Sequence, residues 1–252
     1  MHMRRKKWAR PELAVCPYFR DTPVHERGKW REAFKKDQPL FLELGCGKGV
    51  STAQMAFENP DTNFVAVDIT CDILGDARRN IEKVYDGTEP ANILLARFDI
   101  EYIDQYFSKA DRVERIYIHF CNPWTKRPKY AKRRLTHPRQ LLKYREILTP
   151  GAEIWFKTDN DELFEDSLTY FEVSGYDRLW MTRDLHAEHF SPNYLSEHEK
   201  KYSERGVPIK MGIFRMTDRK VEIDPLRWGL PRKKEETDDP RIRNEEEKRC
   251  LE

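Results

Sequence analysis

The chain has 252 residues, 38% hydrophobic and 36% charged, with 46 Lys+Arg against 44 Asp+Glu. That suffices for one domain with appendages, and no run of about 18 apolar residues is present to span a membrane. The basic N-terminus lacks the apolar stretch of a secretory signal, and five scattered cysteines without zinc spacing point to reduced thiols in the cytoplasm.

Residues 1–38 are basic and rich in proline and aromatics, and read as an arm with at most a short helix. Regular alternation then begins. Leu40–Leu44 is an apolar strand ending in a glycine turn, and residues 50–58 form a helix stopped by Asn59-Pro60. A second strand over 63–69 and a helix over 72–85 come next, then strands over 92–99 and 116–120. A helix over 137–148 ends at Thr149-Pro150-Gly151, a strand covers 154–157, and a helix covers 162–171. Strands over 178–182 and 209–216 close the pattern. Such alternation implies an α/β fold, a mostly parallel sheet with helices on both faces. The domain is expected over 39–217. Residues 218–252, with mixed charge and little apolar periodicity, read as a partly disordered tail.

The first strand leads into Glu43-Leu44-Gly45-Cys46-Gly47-Lys48-Gly49. A dinucleotide fingerprint would place its third glycine at position 50, which is valine. The spacing suits S-adenosylmethionine better. Glu43 favours its positive groups and would repel a pyrophosphate. Asp68 ends the second strand, where a carboxylate grips ribose hydroxyls, and Asp99 ends the third, level with an adenine ring. Three carboxylates can also hold a divalent metal. Their spread across three strands and the glycines argue against it, so no metal is expected.

The other prominent feature is Asn122-Pro123-Trp124-Thr125-Lys126-Arg127 and the basic run that continues to Arg145. No acidic residue occurs between Arg115 and Arg145, and nine basic ones come after Asn122. On a nearly neutral chain this block marks a surface that meets a polyanion, with phosphates held by Lys126, Arg133 and Arg134. Any single lysine there is as well explained as solvated charge. Trp124 is as well explained by core packing as by stacking on a base.

With these motifs in hand, the sequence resembles the bacterial tRNA (guanine-N7-)-methyltransferases that modify the variable loop. Four blocks carry the resemblance: residues 42–49, 120–135, 156–160 and 196–199 leading to 206–209. It spans roughly residues 40–216. It implies a Rossmann-like class I methyltransferase sheet of seven strands with the last antiparallel, S-adenosylmethionine as cofactor, and tRNA as partner. Carried over by position, donor contacts fall on Glu43, Asp68, Asp99 and Asn122, beside Gly45 and Gly47. RNA-contacting and catalytic positions fall on Lys126, Asp159, Ser196 and Glu199. The chain departs from the family pattern at Asn122, usually Asp, at Asp68, usually Glu, and at Ser196, usually Thr.

Asp159 is the expected catalytic residue. It would accept hydrogen bonds from guanine and stabilise the charge that develops on N7 methylation. On spacing alone it equally reads as the N-cap of the following helix. Glu199 is expected to read the Watson–Crick edge of guanine, and Ser-x-x-Glu over 196–199 equally reads as a capping box. The histidines have no metal-like spacing and receive no role. Two other readings stand beside this one: a methyltransferase with another substrate, and a non-catalytic RNA-binding protein on the same fold. A monomer and a homodimer are equally open.

Overall fold

The computed structural model describes residues 5–224 and Trp228. One compact unit, Met1–Glu222, holds all the strands and helices named here, and residues from Ile223 cluster separately. Most of the expected tail lies outside the described residues. The strands are β1 (Phe19–Asp21), β2 (Leu40–Leu44), β3 (Asn63–Asp68), β4 (Ile93–Arg97), β5 (Val113–His119), β6 (Leu148–Thr158), β7 (Tyr176–Thr182) and β8 (Lys210–Met216). The helices are α1 (Ala9–Ala14), α2 (Val50–Glu58), α3 (Cys71–Val84), α4 (Pro138–Arg145), α5 (Asp161–Val173) and α6 (Glu197–Ser203).

The sheet order is β1-β4-β3-β2-β5-β6-β8-β7. β8 runs antiparallel to both neighbours, and the other pairings are parallel. Order reverses between β2 and β5. Right-handed crossovers that run outward in opposite directions put their helices on opposite faces. Accordingly α2 packs with α3, and α4 with α5. A crevice opens at the carboxyl ends of β2 and β5, the place where such sheets bind ligands.

The expected seven strands are present, and an eighth comes from the N-terminal segment. β1 pairs with β4, and Trp30 is fully buried, stacked on Phe107 at 4.8 Å. Asp111 fixes the same segment by accepting from the backbone N–H groups of Gly28 at 2.9 Å and Trp30 at 3.0 Å. The expected arm is therefore part of the sheet and core. Thr149-Pro150-Gly151 also differs from expectation. It lies inside β6, where the register shifts between Val113 and Arg115 of β5. The bulge takes up the residues that a regular ladder would exclude.

Candidate active site

The glycine turn is shaped by the residues around it. Gly45 and Cys46 both donate to the Val67 carbonyl at 2.9 Å, which folds the chain back over the end of β3. Gly45 has φ 83°, with open space where a β-carbon would stand, so a ligand can approach the backbone there. At position 49 a β-carbon would lie 2.9 Å from that of Ala77 on α3. The third glycine is thus set by helix packing.

A cleft of about 570 Å³ runs from this turn past Asp68, Asp99 and Asn122 to Arg133. A second hollow of about 200 Å³ shares Gly45 and Phe120 with it and includes Glu43, Gly47 and His198. Together they bring all six expected donor-site residues to one trough. Asp68 Oδ2 accepts from Gly47 N at 3.3 Å and Oδ1 from Thr70 N at 2.9 Å, while partial burial raises its pKa. Asp99 caps the next turn through Glu101 N at 2.9 Å. Asn122 Oδ1 accepts from Trp124 N at 3.0 Å, so the amide shapes its own loop as well as lining the cleft.

Glu43 forms the floor and is 2% exposed. It accepts from the Thr52 hydroxyl and lies 3.4 Å from His119 Nδ1. Burial pushes its pKa up to about 8, and burial holds His119 well below the usual imidazole range. Both ring nitrogens of His119 are buried without a hydrogen-bond partner among the described residues.

This gives a pH signature. Below about pH 4.5 Glu43 is protonated folded or unfolded, and from there to about pH 8 only the folded protein keeps the proton. Stability from Glu43 therefore falls as pH rises through that window. His119 is neutral in both states above about pH 7 and adds no slope there. Glu43→Gln should raise the melting temperature of the ligand-free protein at pH 8 relative to wild type, and much less at pH 5. It should also weaken cofactor binding about ten- to a hundred-fold. Calorimetry at the two pH values checks this, and identical pH dependence in both proteins would contradict it.

Asp159 comes directly after β6. The helix N-cap is its neighbour Asn160, which accepts from Leu163 N at 2.7 Å. Asp159 is released from capping and instead receives His198 Nε2 on Oδ1 at 3.2 Å. That bond is the main reason its pKa is lowered. Ser196 caps α6 by accepting from Glu199 N at 3.1 Å. Glu199 does not complete the box and does not face the trough. It is fully buried, accepting from Lys157 Nζ at 2.7 Å and Asn193 Nδ2 at 2.7 Å. The expectation that it reads a base edge is corrected: a buried lysine on β6 needs a counter-charge, and Glu199 supplies it.

The basic block divides in two. Lys126 and Arg133 are exposed and make no ion pair among the described residues, and Arg133 lies 5.2 Å over the ring of Trp124. Arg134, expected beside it on the phosphate surface, is only 2% exposed. It pairs with Glu162 at 2.7 Å and with Asp166, and donates to the Pro123 carbonyl at 2.7 Å. Its role is to brace the Asn122-Pro123-Trp124 loop. Arg139, Lys143 and Arg145 are likewise engaged with Glu101, Asp104 and backbone carbonyls. Neutralising Lys126 and Arg133 together should lower the salt slope of RNA binding by about 2. Arg134→Ala should leave that slope alone and cost on the order of 1–3 kcal/mol of stability. A salt titration and a denaturant melt separate the two, and a lowered slope in Arg134→Ala would contradict the division.

A family model described as putative methyltransferase matches residues 37–211. A tRNA (guanine-N(7)-)-methyltransferase of Ruminiclostridium cellulolyticum is 50% identical over 216 residues, covering 84% of this chain and 91% of that protein. The chain belongs to the tRNA (guanine-N(7)-)-methyltransferase family. A family member from Clostridium beijerinckii is also 50% identical, over 84% of this chain and 98% of its own. Among solved structures, the 16S rRNA methyltransferase KamB superposes with a TM-score of 0.54 at 13% identity, covering 71% of this chain and 88% of its own. A 16S rRNA (adenine(1408)-N(1))-methyltransferase from Catenulisporales acidiphilia, solved with its cosubstrate SAM, gives 0.50 at 14%, covering 81% and 95%. These two share the fold. Family membership makes this chain a tRNA (guanine-N(7)-)-methyltransferase.

Sequence reasoning missed two members of the site. His119 falls inside an apolar strand, and no local signal marks it. His198 sits in the motif that carried the resemblance, but its partner Asp159 is 39 residues away.

Proposed function

We propose that the enzyme transfers a methyl group from S-adenosylmethionine to N7 of a guanosine in the variable loop of tRNA, in the cytoplasm. The observation that carries this reading is the continuity of an acidic trough with exposed basic residues along its edge, Lys132 and Arg133, which make no ion pair among the described residues. The trough suits the cofactor. Gly45 and Gly47 leave open space along the backbone, and the floor of Glu43 and His119 offers polar atoms without enough partners. Bound there, the cofactor supplies an electrophilic methyl on a sulfonium.

The chain's own residues do the rest. Asp68 offers its carboxylate to ribose hydroxyls while holding Gly47 N–H, and Asp99 and Ile100 border the adenine end. Glu43, held largely protonated near neutral pH by its burial, would ionise against the positive charge of the cofactor. Guanine N7 carries a free lone pair, so no general base is required. Catalysis is then alignment of the lone pair with the methyl. Asp159, ionised and fixed, accepts from the Watson–Crick edge of the base, whose N1–H grows more acidic as N7 gains charge, and so stabilises that charge. Lys126 and Arg133 hold phosphates and set register. Ser196 shapes the segment that closes over the base.

The site on the RNA is tested by cleavage mapping. Methylated tRNA treated with borohydride and aniline should break at one nucleotide of the variable loop. A break elsewhere would remove the variable loop from the proposal and leave the chemistry standing.

A further inference from the structure

His198 lies where the trough is closed by α6, and it borders the hollow that contains Glu43 and the glycine turn. Its ring is held on two sides. Tyr202 stacks on it at 4.2 Å with planes 10° apart, and Phe120 lies at 4.8 Å. Nε2 is 3.2 Å from Asp159 Oδ1. An ionised carboxylate only accepts, so Nε2 carries a proton, and in the neutral tautomer that this bond selects Nδ1 is the acceptor. No residue among those described is bonded to Nδ1. The side chain is 41% exposed, so a ligand in the hollow can reach it.

We propose that His198 is a specificity-determining residue whose Nδ1 accepts a hydrogen bond from the exocyclic N2 amino group of the target guanine. The assignment rests on the reading of Asp159 above, and the two act as a pair. Asp159 fixes the tautomer and the ring plane, as a carboxylate does for an imidazole it orients. Its own carboxylate takes guanine N1–H. Adenine has no amino group at this edge and presents a lone pair at N1, so it would leave both acceptors unmatched.

The test is single-turnover methylation of tRNA transcripts carrying guanosine or inosine at the target, inosine being guanosine without the N2 amino group. Wild type should prefer guanosine by about 10- to 100-fold. His198→Phe keeps the stacked ring and removes both nitrogens. His198→Trp keeps a ring N–H that can face Asp159 and has no acceptor. Both should slow guanosine by a similar factor and bring the guanosine-to-inosine ratio close to one, with cofactor and tRNA affinities unchanged as the check on folding. An unaltered ratio in both variants, with or without a slower rate, overturns the assignment and leaves His198 as packing around Asp159. If wild type methylates no guanosine at all, it is the proposed function that fails. If wild type is active and Asp159→Asn is slow while both His198 variants keep the wild-type ratio, only this inference fails.

Discussion

Asp159→Asn should lower single-turnover methylation by about 10²–10³-fold, the scale of losing one preorganised electrostatic group. The substitution keeps size and one acceptor and removes the charge. Bulk tRNA affinity should barely change, because Lys126, Arg133 and their neighbours remain. Stability should also hold, since the helix is capped by Asn160 and not by Asp159. Rapid-quench kinetics at saturating tRNA provide the measurement. A near-normal rate would mean that charge is not what Asp159 contributes.

The second large effect is on stability. Lys157 and Glu199 are 3% and 0% exposed and joined at 2.7 Å. Lys157 also donates to Asn193 at 3.0 Å and to the Tyr194 carbonyl at 3.3 Å. Removing one partner leaves an uncompensated buried charge. Lys157→Met should therefore cost about 3–5 kcal/mol. Adding Glu199→Gln should recover much of that, because the amide still hydrogen-bonds and carries no charge. The lost tether matters for function too, since it ties the segment bearing Ser196 and His198 to the sheet. The double variant should refold yet bind tRNA less well. Urea melts of the single and double variants decide it, and additive losses would contradict the pairing.

These two residues show what a sequence conveys and what it hides. The glycine turn, the strand periodicities and the helix caps are local, and they placed β2 and α2 to the residue. The proposed donor-site residues lie at or just past the ends of strands, and strand ends converge in this fold, so Glu43, Asp68, Asp99 and Asn122 meet along one trough. The hidden part depends on distant charges. Arg134 looked like its neighbour Arg133 because its counter-ions, Glu162 and Asp166, lie 28 and 32 residues on, across α5. Glu199 looked available because its partner Lys157 is 42 residues earlier, inside an apolar strand. β1 escaped notice for a related reason. Three residues, Phe19–Asp21, carry no alternation, and their pairing with β4 is set by the burial of Trp30 nearby.

The central claim is that this trough places the methyl on N7 of guanine in tRNA. Its most direct test uses S-adenosylmethionine labelled in the methyl group and unmodified tRNA, with digestion to nucleosides afterwards. The label should appear in 7-methylguanosine, and a transcript with 7-deazaguanosine at the target, which lacks that nitrogen, should take up none. Label in any other nucleoside, or undiminished label with the 7-deaza transcript, would contradict the account.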